Sequence, residues 1–123
     1  MTTWLIWGGV ALLGAAGAWA RFTLGAVVAA RRPGPFPLGT FTVNLTGGFL
    51  LGALIGASLT GDALLLLGTG LLGAYTTFST WMVEAQRLGE DGALRTMWLY
   101  LLGSMLVGLA ATGAGWMLGE ALR

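Results

Sequence analysis

Four long apolar stretches, at approximately residues 4–29, 38–59, 62–86 and 94–118, occupy nearly the whole 123-residue chain and leave only short polar links. A helix needs about 20 predominantly apolar residues to cross the hydrocarbon of a bilayer. Within hydrocarbon, only helices and closed barrels satisfy their own backbone. The pattern therefore predicts an all-α membrane protein, residues 1–123 forming a single domain of four transmembrane helices. Its 9% charged residues and 56% hydrophobic residues contrast with the roughly 25% charge of soluble domains, and no soluble domain fits in the remainder. No Lys or Arg precedes Arg21, and the first apolar run is longer than a signal peptide's core, so it is expected to be a span rather than a cleaved leader.

Without cysteine, disulfides and thiolate chemistry are excluded; without histidine, the commonest metal ligand and acid–base group is missing. Enzymatic chemistry is not expected. A net charge of +1 offers no basic surface for nucleic acid. The first link, Arg31-Arg32-Pro33-Gly34-Pro35-Phe36-Pro37, stops the helix because proline lacks an N–H and disfavours helix in the residue before it. Asp62 is expected to cap the third span after Thr60-Gly61, and Arg87 to Gly92 reads as the last turn. Such short links make neighbouring spans antiparallel. Trp4, Trp7, Trp98 and Trp116 lie near span ends, as amphipathic rings prefer.

The third stretch is interrupted in its middle by Gly73-Ala74-Tyr75-Thr76-Thr77-Phe78-Ser79-Thr80-Trp81. Hydroxyls and a weakened helix at membrane depth are tolerated only where they face other protein or a water-filled path, which makes this run the expected working part. Residues four apart share a helix face. On the second span Thr40, Asn44, Gly48, Gly52 and Gly56 follow that spacing; the glycines point to close helix packing, while Asn44 either ties two helices together or contacts a permeating species. On the fourth span Tyr100, Ser104, Gly108 and Thr112 form a similar stripe of rotatable donors without fixed charge. Such donors suit a small, strongly hydrated anion.

Phe78 and Trp81 are either packing residues or rings whose positive edges help hold an anion. Arg21 either draws anions into a vestibule or snorkels to the interface; Glu84 is either a proton site or a partner for Arg21, and the pairing is the expected outcome. Unwound carbonyls between Gly73 and Thr77 offer a site for Na⁺, as in other discontinuous membrane helices.

The run 73–81, together with Gly39-Thr40-Phe41-Thr42-Val43-Asn44-Leu45-Thr46-Gly47-Gly48-Phe49 and Gly17-Ala18-Trp19-Ala20-Arg21-Phe22, closely resembles the Fluc/CrcB fluoride channels. The resemblance implies a fluoride-selective passive channel of the cell inner (plasma) membrane. Its expected role is to export cytoplasmic fluoride and so confer fluoride resistance. It further implies an antiparallel, dual-topology dimer with two pores and one structural, untransported Na⁺ held by the carbonyls of Gly73 and Thr76 from both subunits. On the same grounds Asn44, Thr77, Phe78, Ser79, Thr80, Trp81, Tyr100, Ser104 and Thr112 line the fluoride pore, and Arg21 sits in its vestibule. Two positions depart from the family pattern: Trp81 stands where a second phenylalanine is usual, and Gly108 where a hydroxyl residue occurs.

The loops following the first and third spans carry Arg31, Arg32, Arg87 and Arg95, against Arg123 alone on the opposite side. By the positive-inside rule those loops lie in the cytoplasm and both termini outside. The partner is then either an inverted copy that tolerates the bias or an oppositely oriented homologue forming a heterodimer. Two other functions fit four short spans. A small multidrug-type proton-coupled exporter resembles its relatives in a buried first-span glutamate, and this first span has Arg21 and no acid. A non-transporting membrane assembly protein accounts for the glycine stripes but not for Asn44 and the hydroxyls.

Overall fold

The computed structural model describes residues 2–123, and every regular element among them is helical. Four helical runs, Thr3–Arg31, Leu38–Gly56, Gly61–Glu90 and Leu94–Ala121, are long and apolar enough to cross a membrane. The first is α1 (Thr3–Arg31), which ends against the prolines, with the Arg32 N–H closing on Val28 O at 2.9 Å. The second, α2 (Leu38–Gly56), stops before the expected Leu59. Ser58 adopts a left-handed φ of 59°, and the N–H groups of Ser58 and Leu59 bond back to Ile55 O and Leu54 O at 2.9 and 3.0 Å. These bonds satisfy the last carbonyls and reverse the chain.

The third run begins with α3 (Gly61–Leu64), preceded by Thr60 at the capping position. Asp62 therefore lies inside the first turn instead of capping it, where a carboxylate complements the positive end of the helix. A π-helical segment (Leu65–Leu72) follows, then α4 (Gly73–Tyr75), a break, and α5 (Ser79–Glu90). Thr76 leaves the helix with φ −77° and ψ 158°, so the run Gly61–Glu90 is interrupted in its middle. The wide turns before the break were not anticipated; they accompany an intimate backbone contact in which Gly70 lies against Val10 and Gly17 against the Leu71 carbonyl. Far from turning at Arg87, α5 continues to Glu90. The reversal occurs at Gly92, whose φ of 76° lets the Ala93 N–H reach Leu88 O at 2.8 Å.

The last element, α6 (Leu94–Ala121), makes its main contact with α2. A Cβ added at Gly52 or Gly56 of α2 would collide with the carbonyl of Thr112 or Trp116, and one at Gly115 or Gly119 of α6 would collide with that of Phe49 or Ala53. The two backbones therefore lie in direct contact along complementary glycine faces, as small residues permit in membranes. Sequence reading identified the α2 half of this zipper and missed the α6 half. Because α2 also packs on α1 and the π-helical segment, whereas α6 touches α2 and α5, a groove stays open between α6 and the first half of the third span. The small buried core comprises Val43, Leu72 and Tyr75, of which Leu72 also lines this groove.

Replacing Gly115 with Leu is expected to force α2 and α6 apart at an overpacking cost of about 1–3 kcal/mol. A lowered thermal midpoint in detergent is the expected readout, and an unchanged midpoint would contradict the zipper.

Candidate functional site: a neutral groove and a charged vestibule

The break in the third span is held by one side chain. Asn44 Nδ2 donates to Thr77 O at 2.7 Å, and Thr77 N–H donates to Asn44 Oδ1 at 2.8 Å. The amide thus satisfies both backbone groups of Thr77. Of the two sequence readings of Asn44, the tie between helices is the one seen. A primary amide has two N–H donors and two acceptor lone pairs, so one donor remains for the groove that Asn44 lines.

In a continuous helix the Thr77 N–H would bond Gly73 O, and the Thr80 N–H would bond Thr76 O. Here Thr77 turns to Asn44, and Thr80 N–H donates to Thr77 Oγ1 at 3.2 Å. Side chains divert both donors, leaving the carbonyls of Gly73 and Thr76 without their helical partners. Thr77 thereby acts as the side-chain cap of α5, and its hydroxyl donates in turn to Thr80 Oγ1 at 3.1 Å.

The groove encloses about 470 Å³ and is lined by Asn44, Thr77, Phe78, Trp81, Ser104 and Thr112, together with glycines and apolar side chains of α2, the π-helical segment, α4 and α6. None of its lining residues is charged. Phe78, 70% exposed, stands edge-to-face with Trp81 at a centroid distance of 5.5 Å. The Thr112 hydroxyl is already used, donating to Gly108 O at 2.9 Å. Ser104 Oγ and Trp81 Nε1 are buried and have no hydrogen-bond partner.

A second cavity of about 570 Å³ follows one turn away along α2, lined by Arg21, Arg32, Thr40, Thr80 and Glu84 among others. Of the two cavities, this one alone is lined by charged residues. Arg21 is thus placed beside a cavity, and Thr80 lines this one rather than the groove; Ser79 and Tyr100 line neither. The expected Arg21–Glu84 pair is not formed. Glu84 instead accepts hydrogen bonds from Thr40 Oγ1 at 2.9 Å and from the fully buried Tyr100 hydroxyl at 2.7 Å. Two neutral hydroxyls on α2 and α6 can reach this carboxylate from either side, and no ion pair is needed to hold it. Sequence reading also missed Tyr75, whose hydroxyl shares a 2.7 Å hydrogen bond with Thr46 Oγ1; its place in the polar run was the available signal.

Residues 9–116 match the family model described as CrcB-like protein, Camphor Resistance (CrcB). The chain belongs to this family. It is 50% identical over 120 residues, 98% of each chain, to the fluoride-specific ion channel FluC 2 of Mycolicibacterium paratuberculosis. It is also 52% identical over 110 residues to a protein of the same name from Mycobacterium tuberculosis, covering 89% of this chain and 87% of that one. A Bacillus cereus protein, again named fluoride-specific ion channel FluC 2, is 43% identical over 110 residues, 89% and 93% of the two chains. With its four apolar spans, this CrcB chain is a multi-pass membrane protein, and the relatives are named as ion channels rather than enzymes.

Asn44→Ala would leave the Thr77 N–H and carbonyl unpaired at membrane depth. At about 1–3 kcal/mol for each unsatisfied group, the variant is expected to melt well below the wild type. A melting point within a degree of the parent would show that Asn44 does not hold the break.

Proposed function

We infer that this chain is a fluoride-specific passive ion channel, letting cytoplasmic fluoride leave across the plasma membrane down its electrochemical gradient and so conferring resistance to it. Near-complete alignment at 50% identity to a protein named as such a channel carries the reading. The chemistry of the groove supports it. A dehydrated fluoride ion needs hydrogen-bond donors, and the free N–H of Asn44, the hydroxyl of Ser104, the edges of Phe78 and Trp81 and, on rotating away from their present acceptors, the hydroxyls of Thr77 and Thr112 supply them without a fixed cation that would trap the ion. The vestibule, with Arg21 and Arg32, collects anions at one end of the path.

The groove is open along one side, where Thr77 and Asn44 would otherwise meet lipid that cannot satisfy them. We propose that a second subunit in the opposite orientation closes it, giving an antiparallel dimer. The freed carbonyls of Gly73 and Thr76 fit a hard cation that takes neutral oxygen ligands, and two subunits double their number. In this reading they hold one Na⁺, which fixes the break without being transported. The arginine bias, four on one side against one on the other, leaves two candidates for the second subunit, an identical inverted chain or an oppositely oriented homologue.

Pure protein in liposomes is expected to release fluoride, followed with a fluoride electrode, without a pH gradient. Release no faster than from empty liposomes would refute the channel reading, and dependence on a pH gradient would indicate coupled export. Phe78→Ile keeps apolar volume and removes the ring edge; flux is expected to fall with the dimer intact on size exclusion, whereas normal flux would dismiss the ring's role.

Cysteine labelling of the termini tests the assembly. Labelling from both sides of the membrane is the signature of an inverted homodimer, and labelling from one side only means that an oppositely oriented homologue is required.

A further inference from the structure

The break in the third span is tied to α2 twice. Asn44 holds Thr77 just after the helix stops, and Tyr75, buried in the last turn before it, shares a 2.7 Å hydrogen bond with Thr46 Oγ1. A hydroxyl has one hydrogen and two lone pairs. Thr46 spends its hydrogen within α2, where Thr42 O lies at 2.8 Å and Val43 O at 3.1 Å, so the Tyr75 hydroxyl is the donor of the pair. Between the two ties Thr76 rests on Gly47: a Cβ added there would collide with Thr76 Cγ2 and stand 3.1 Å from Tyr75 Cδ1. On its other side Thr76 is fixed by Leu72 O, which accepts from both its N–H and its hydroxyl at 3.0 Å. Packing against Val43 and Leu72 would be served equally by a phenylalanine; what the Tyr75 hydroxyl adds is direction.

We propose that Tyr75 and Thr46 are positioning residues for the cation, their hydrogen bond setting the spacing of the Gly73 and Thr76 carbonyls and hence the preference of the break for Na⁺ over other alkali cations. The inference rests on the reading of those carbonyls as a sodium site and adds the side chains that keep its shape. A chain held by one tie can swivel about it, whereas two ties fix what lies between. Thr76 O lies between them, and Gly73 O belongs to the short turn that Tyr75 ends. Discrimination between cations of equal charge depends on cavity size, ligand number and flexibility. Side chains that hold a metal's ligands in place therefore tune its affinity without touching it.

The test is thermal unfolding of the full chain in detergent, exchanged into N-methylglucamine chloride and titrated with sodium, lithium or potassium chloride at constant ionic strength. A ligand that binds only the folded protein raises its melting point with concentration. The wild type is expected to be stabilised by sodium and less by the other two. Tyr75→Phe keeps the ring and Thr46→Val the volume; each is expected to raise the sodium concentration required about fivefold, the worth of one neutral hydrogen bond, and to narrow the preference over potassium. Thr46→Ser, which keeps the hydroxyl, is expected to restore both, and the double variant to be no worse than either single one, since the two partners share one bond. Variants that melt lower without sodium yet keep the wild-type sodium requirement and preference would overturn the positioning role and leave the sodium site standing. A wild type indifferent to sodium would remove the site and the positioning role together, with fluoride release from liposomes still deciding the channel reading.

Discussion

The pair of hydrogen bonds between Asn44 and Thr77 is the contact on which the rest of the site depends. A helix interrupted inside hydrocarbon exposes backbone groups that lipid cannot satisfy, and one amide on α2 takes up both of those at Thr77. By drawing the Thr77 N–H away from Gly73, Asn44 also frees a carbonyl that a continuous helix would have consumed. The Thr77 hydroxyl repeats the device one turn on, capping Thr80 and freeing Thr76 O. Polar side chains thus perform the backbone's bonding, and the backbone they release becomes available for other chemistry.

That clamp requires α2 to stand close to the break and to hold its position. Farther along the same stripe, Gly52 and Gly56 meet α6 through interlocking glycines, where backbone touches backbone and no side chain intervenes. Tight packing over its second half and a hydrogen-bonded clamp at Asn44 leave α2 little freedom. The groove above it keeps its shape because its floor is this helix, and the path continues along the same face from Asn44 to Thr40 and the vestibule. Charge is segregated accordingly: arginine and glutamate at the vestibule, neutral donors in the groove.

Much of this was legible from spacing. Thr40, Asn44 and Gly48 share one face of a helix whatever they pack against, and four hydroxyl residues beside Gly73 mark a break wherever the span lies. Glu84 was misread because its obvious partner by charge was Arg21, while its actual partners, Thr40 and Tyr100, are uncharged and announce no pairing with a carboxylate. The ends of α2 and α5 shifted for a related reason. Reversals at Ser58 and Gly92 depend on which residues enter the left-handed region; Gly61 also enters it, at φ 58°, while Gly89 stays within α5, and composition alone does not rank these positions.

By itself the sequence determined the membrane class, the number of spans, their approximate limits and the site of the interruption, because these follow from hydrophobic length and from the cost of polar groups in hydrocarbon. Tertiary structure alone decided that Asn44 spends its amide on Thr77, that Glu84 is shared by hydroxyls, and that Trp81 and Ser104 remain without partners. Those outcomes depend on which of several chemically equivalent donors and acceptors lies within about 3 Å, and that distance is set by how the helices pack.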